Sequence, residues 1–346
     1  MKFSKILSSV LALTLLFNIS CRTESDEPIE LPKGAYENGI FVLNEGNFGT
    51  PSASVTFLSN DLATIEQDVY KKNNGTDLGD VLQTLTYNGD NAYLVLNNSN
   101  KITVVNRYTF KKTGEITAQI NQPRYISIAN NFIYVTNDEY LGPKSVTIYK
   151  LSDLSFVKKI AFTDTAERIV EAGGTIFVQN ATYGFGNTLT RINPATNEVA
   201  SVVTLPNGNI NKTISNNSTV YTIAAGTTDS YIYQISAAGT ITKTTTLTGI
   251  SNATNLDIDG GKYYFSSGNK VYSMEMSSTV TPSTPIITAT GGPYSALYGF
   301  NVINGKIYTS DANGFTADSK VTVYSTIGSV IKTFEAGRAT NGFFQN

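Results

Sequence analysis

The chain has 346 residues and a net charge of −2, with only 15% of residues charged, so it lacks the basic surface that nucleic-acid binding needs. It contains no His, no Trp and one Cys, which removes Ser-His-Asp and Cys-His catalysis, imidazole-bound metals, the usual zinc sites and any internal disulfide. Hydrophobic residues reach 40% amid abundant Tyr, Thr, Asn, Ser and Gly, a balance that suits pleated strands joined by polar turns.

Lys2 and Lys5 precede an apolar run over residues 6–17, which ends near Asn18-Ile19-Ser20-Cys21. That run is shorter than the ~20 residues a membrane-spanning helix requires. It resembles a bacterial lipoprotein signal peptide, which implies removal of residues 1–20 and a diacylglycerol on the sulfur of Cys21. Residues 21–36 are polar and contain Pro, without a period of 2 or 3.6, and are expected to be a flexible tether. Glu24, Asp26 and Glu27 resemble the acidic signal that sends some Gram-negative lipoproteins to the outer face of the outer membrane. The expected location is therefore the outer membrane, held through the lipid anchor alone and facing the exterior.

From residue 37 onward an aromatic returns at intervals of 41 to 44 residues after a first gap of 52: Phe41, Tyr93, Tyr134, Phe177, Tyr221, Tyr264 and Tyr308. Self-similarity at this period marks a repeat architecture, here of seven units. The third unit is the clearest, with strands expected over 124–129, 132–136, 146–149 and 156–161, the first two joined by a turn at Asn130-Asn131. Third strands follow the same register over 55–58, 102–105, 189–192, 232–235, 271–274 and 321–324. Asn/Gly pairs at Gly173-Gly174, Asn216-Asn217, Gly260-Gly261 and Asn304-Gly305 are hairpin turns with positive φ. The first unit starts directly with its second strand, whereas the last residues, Thr340-Asn341-Gly342-Phe343-Phe344-Gln345-Asn346, form a strand without a unit of their own. Lending that strand to the first unit closes a ring and removes both sheet edges of an open array. The sequence thus predicts an all-β fold over residues 37–346: a seven-bladed β-propeller of four-stranded antiparallel blades, closed by the C-terminal strand. The recurring aromatic fills the wedge between blades, and the long first gap places extra residues around 71–79 between blades one and two.

Binding chemistry is expected on the face that gathers the loops between second and third strands. Four of these loops are long and carry aromatics: Asn44-Glu45-Gly46-Asn47-Phe48-Gly49, Asn137-Asp138-Glu139-Tyr140-Leu141-Gly142, Asn180-Ala181-Thr182-Tyr183-Gly184-Phe185-Gly186 and Asp311-Ala312-Asn313-Gly314-Phe315. A polar ring of Asp80, Arg124, Arg168, Lys212 and Arg338 is expected at the starts of the innermost strands, lining the channel entrance. The ligand-binding candidates are Asn44, Glu45, Asn47, Phe48, Asp80, Arg124, Asp138, Tyr140, Arg168, Tyr183, Phe185, Phe315 and Arg338. Asp257-Ile258-Asp259-Gly260 lacks the other ligands of a calcium loop and reads as a strand entering its hairpin, so no metal or other cofactor is expected.

The phrase Gly39-Ile40-Phe41-Val42-Leu43-Asn44-Glu45-Gly46-Asn47-Phe48-Gly49, with the lipoprotein start and the closing Gly342-Phe343-Phe344-Gln345-Asn346, resembles a family of surface lipoprotein propellers of Gram-negative bacteria. Its best-known members capture cobalamin, cap a TonB-dependent outer-membrane transporter and pass the vitamin to it. The resemblance implies a non-enzymatic surface lipoprotein that binds a small nutrient, with cobalamin the named candidate, and delivers it to such a receptor. Without His, cobalt would not be held by imidazole, leaving stacking, amides and shape to grip the corrin. A scaffold or adhesin that presents the same face to a protein or glycan is the alternative. A carboxylate-based lyase or hydrolase using Glu45 or Asp138 is a third.

Overall fold

Apolar residues that alternate along short segments form strands throughout, and the strands group into seven four-stranded antiparallel sheets. The computed structural model describes residues 33–346. The expected signal peptide, Cys21 and most of the expected tether lie outside the described residues. Each sheet is one blade: in blade three, Pro123–Ala129, Phe132–Asp138, Lys144–Lys150 and Phe156–Phe162 run from the channel outward. Second and third strands are buried almost throughout, whereas outer strands such as Phe156–Phe162 alternate between exposed and half-buried positions. The turn pairs lie where expected with one shift. In blade five positive φ falls on Asn217 and Ser218, because Asn216 still pairs with Thr219.

Seven apolar clusters hold the blades together, one at each interface between neighbours. Every recurring aromatic sits in the second strand of its blade and belongs to a different cluster. None of the seven is more than 8% exposed, so they act as the wedges expected of them. The extra residues between blades one and two form the helix Val69–Asn74, whose Val69 and Tyr70 enter the first cluster beside Phe41 and Phe110. The helix adds apolar bulk next to an outer strand of only two residues, Ile65–Glu66. Its chain then returns to the loop side, where Ala53 N donates to Gly79 O at 2.9 Å and Gly49 N to Asp80 Oδ2 at 2.9 Å.

Packing includes residues ahead of residue 37. Tyr36, placed in the expected tether, is 3% exposed, with its ring edge-on to Phe57 at 5.1 Å and its hydroxyl donating to Glu66 Oε1 at 2.6 Å. Burying that ring outweighs the polar sequence around it.

Ring closure takes the expected route. The strand Thr340–Gln345 forms the inner strand of blade one, pairing antiparallel with Gly39–Asn44 so that Phe41 faces Phe344 and Leu43 faces Gly342. Phe343 is 1% exposed in the cluster between blades seven and one, with its ring centroid 5.5 Å from that of Tyr308. Asn346 adds a clamp: its N–H donates to Gly39 O at 2.9 Å, and its Oδ1 accepts from Arg107 Nε at 2.7 Å. Truncating Phe343→Ala should therefore cost about 3–5 kcal/mol, the usual range for a buried Phe. Deleting residues 342–346 should lower the melting temperature by more than any single core truncation. Urea unfolding and calorimetric melting measure the two effects, and an unchanged melt for the deletion would refute closure by this strand.

Candidate functional site

Polar residues reach the channel because the inner strands are irregular. Pairing between first and second strands skips residues between Leu82 and Thr84, Pro123 and Ile126, Ile210 and Lys212, Thr254 and Asp257, and Ala296 and Phe300. The same break occurs where Gly342 and Thr340 pair with Leu43 and Asn44, leaving Asn341 out of register. A bulge of this kind frees one residue from the ladder and re-aims its side chain. Gln83, Arg124, Asn255, Tyr298 and Asn341 are freed in this way, while Lys212, next to the skipped Asn211, and Arg168, just ahead of Ile169–Ala172, complete a set of one polar residue per blade that returns at 41 to 44 residues. Six of them line a narrow channel of about 190 Å³, and Arg124 lines the wider space above it.

That wider space is a bowl of about 1060 Å³ over blades seven, one, two, three and four. Its rim carries Phe48, Tyr140, Leu141 and Tyr183, each at least 76% exposed, together with Phe315, whose ring meets that of Tyr298 edge-on at 5.0 Å. Its floor is polar and internally paired. Arg124 makes a two-pronged contact with Glu167, Nε to Oε2 and Nη2 to Oε1, both at 2.8 Å, while its Nη1 donates to Gln83 Oε1 at 2.8 Å. Burial works against the Arg124 charge, but the Glu167 carboxylate and its hydrogen bonds outweigh that and raise its proton affinity. Asp138 is matched by Lys144 at 3.0 Å and also accepts from the Thr165 hydroxyl and from Ala166 N.

Glu45 is the tuned group of the floor. Its Oε1 accepts from Asn341 Nδ2 at 2.8 Å and its Oε2 from the Tyr298 hydroxyl at 2.9 Å. Burial lifts its carboxyl above the ordinary Glu range, against the opposing pull of those two donors and of Arg124. Burial and the adjacent carboxylate likewise raise the Tyr298 phenol, which keeps its proton and remains a donor.

Of the sequence candidates, Glu45, Asn47, Phe48, Arg124, Asp138, Tyr140, Tyr183 and Phe315 line this one bowl. The other five lie elsewhere. Asn44 is fully buried and pins strands, donating to Ser54 and Thr56 at 3.1 Å and accepting from Thr340 at 2.6 Å. Asp80 holds Gly49 N and Asn98 through its Oδ2, and Arg338 points to Asn47 Oδ1 at 2.7 Å beside a separate groove. Both sit three residues ahead of the true ring positions, Gln83 and Asn341, since the bulges displace the channel-facing residue along the strand. Arg168 lines the channel below the bowl, and Phe185 is exposed outside it. Sequence reading missed Gln83, Glu167, Asn255, Tyr298 and Asn341. The 43-residue spacing that located the wedge aromatics would have found all but Glu167 if applied to the inner strands.

A carboxyl raised above its unfolded value contributes stability below the ordinary Glu range, and that contribution is lost as pH rises through the raised value. Glu45→Gln, which retains an acceptor for Asn341, should therefore melt higher than the parent at neutral pH, with the gap closing near pH ~4. Paired thermal melts at the two pH values check this, and a gap independent of pH would contradict it. Breaking the floor pair is a different matter. Arg124→Met should cost about 3–5 kcal/mol by stranding Glu167, while Arg124→Met with Glu167→Met should recover most of the loss in urea unfolding.

The solved structures that resemble this chain share its fold. A functionally unknown protein from Desulfotomaculum acetoxidans is 13% identical with a TM-score of 0.67, over 89% of this chain and 98% of that one. A quinoprotein alcohol dehydrogenase-like protein from Bacteroides thetaiotaomicron is 15% identical with a TM-score of 0.65, over 90% and 77%. Hydrazine synthase of Kuenenia stuttgartiensis is 15% identical with a TM-score of 0.55, over 78% and 91%. A search of curated proteins found no match. A family model described as a domain of unknown function, DUF5074, matches residues 38–338. Covering nearly every blade, that match makes the chain a member of the DUF5074 family.

Proposed function

We propose that this propeller is a non-enzymatic binding protein for a bulky small-molecule nutrient, with cobalamin as the leading candidate, delivered to an outer-membrane transporter. The observation that carries the reading is the bowl. At about 1060 Å³ it lies just above the ~300–1000 Å³ range of small-molecule sites, so it suits a large ligand. Exposed rings at Phe48, Tyr140 and Tyr183 offer stacking surfaces, and the paired floor offers amides and fixed charges to a ligand with a polar periphery. The floor charges are already bound to one another or to their neighbours, as at Arg124 with Glu167 and Asp138 with Lys144, an arrangement that holds shape and does not leave a free acid and base for turnover. With no His in the chain, the corrin would be gripped by its edges and faces.

Isothermal titration calorimetry with cobalamin tests the reading. Saturable binding should weaken by about tenfold or more in a Tyr140→Ser, Tyr183→Ser double variant, since each exposed ring contributes to stacking without supporting the core. The melting temperature of that variant should be unchanged. The absorption spectrum of the bound vitamin should show no protein nitrogen on cobalt. Absence of cobalamin binding alongside saturable binding of a surface oligosaccharide would replace this reading with that of a glycan-binding scaffold.

A further inference from the structure

Below the bowl, the channel of about 190 Å³ is lined by Arg168, Lys212, Gln83, Asn255, Tyr298 and Asn341. Lys212 is only 8% exposed there, and among the described residues its ammonium has no hydrogen-bond or ion-pair partner. Lysines this buried are almost never left unpaired, because an isolated ammonium pays a large desolvation penalty. Arg168, the other cation, lies with its guanidinium carbon 4.5 Å from the centre of the Tyr125 ring, and no acceptor meets its N–H groups among the described residues. Among the described residues one carboxylate lines the channel, Asp257, and it is committed to blades six and seven. Its Oδ2 accepts from Asn301 Nδ2 at 3.1 Å and Val302 N at 3.0 Å, and its Oδ1 from Ile258 N at 2.9 Å.

We propose that the channel binds a small carboxylate monoanion between Lys212 and Arg168. Two cations against one carboxylate leave a single positive charge to be matched, which one monoanion does and a dianion overshoots. The Tyr125 ring covers a face of the Arg168 guanidinium and leaves its edge, the side that grips a carboxylate with two parallel hydrogen bonds. Lys212 then acts as the point charge on the second oxygen. The space corresponds to on the order of six water molecules' share of liquid volume, enough for a short-chain acid. Gln83 and Tyr298 line both the channel and the bowl, so the acid enters through the bowl floor. Burial lowers Lys212 to about 8, with Arg168 adding to the shift and Asp257 opposing it, and a bound carboxylate would lift it again. The acid site requires no particular identity of the bowl ligand, only that the bowl be open when the acid enters.

Thermal melts and calorimetry with sodium acetate, against sodium chloride and sodium phosphate at matched ionic strength, test the proposal at neutral pH. Acetate should raise the melting temperature saturably beyond the chloride baseline. Lys212→Met should melt at or above the parent without added acetate, since it replaces a buried charge with an apolar chain of similar length, and should lose the acetate response. Arg168→Gln should weaken acetate by about tenfold or more, the scale of a lost charge-assisted hydrogen bond. The Tyr140→Ser, Tyr183→Ser variant should keep the full acetate response, which separates this site from the bowl ligand. No saturable acetate effect in the parent, an equal effect in Lys212→Met, or tighter binding of phosphate than of acetate would each overturn it.

Discussion

Everything at the candidate site depends on the pairing of Thr340–Gln345 with Gly39–Asn44. That ladder joins the two ends of the described fold, and its single irregularity decides the chemistry. Between Gly342 and Thr340 the chain releases Asn341 from register, and Asn341 then reaches Glu45, the residue that follows directly on the partner strand. Thr340 meanwhile holds Asn44 through its hydroxyl and accepts from the Ser310 hydroxyl of blade seven through its carbonyl, at 2.5 Å. Closing the ring and building the floor are thus one event, because residues almost three hundred positions apart in sequence contribute adjacent atoms.

The division of labour within each blade follows from the same geometry. Second strands carry the aromatic wedge and supply the apolar contact between neighbours, so their sequence answers to packing. Inner strands face a channel too narrow for large apolar layers and bulge to present polar side chains. Loops between second and third strands carry little packing responsibility and can expose rings such as Phe48 and Tyr140. Burial of Glu45 and Lys212 opposes their charged forms, and well-packed neutral residues would remove that penalty. Such groups concentrate where a protein acts on other molecules.

Most of the fold was legible in the sequence because a wedge between blades requires a large ring at one fixed place in every repeat. Phe41, Tyr93, Tyr134 and their counterparts announce blade number and set the register, from which the missing first strand of blade one and the spare strand at 340–346 give closure. Long aromatic loops were equally legible, and Glu45, Phe48, Tyr140, Tyr183 and Phe315 do converge on one bowl. The channel ring was half legible. Arg124, Arg168 and Lys212 stand out as charges, whereas Gln83, Asn255 and Asn341 look like ordinary strand or turn residues until a bulge turns them inward. Asp80 and Arg338 attracted notice as charges and prove to be tied to loop partners. Tyr36 and Glu167 carried no periodic signal, since each is fixed by a partner far along the chain: Glu66 for the first and Arg124 for the second.

The one-per-blade channel ring makes the protein's specificity combinatorial. Seven positions, each on a separate blade and five of them freed from the ladder by a local irregularity, meet at one axis while their wedge aromatics remain untouched on the neighbouring strand. A change at a ring position that holds no neighbouring blade, such as Lys212, alters the charge seen along the axis without breaking a contact between blades, whereas Gln83 and Arg124 are bonded to each other across theirs. Relatives with the same frame can therefore diverge in what they accept one blade at a time, with most of the stability held by a layer of the molecule that the ligand never touches.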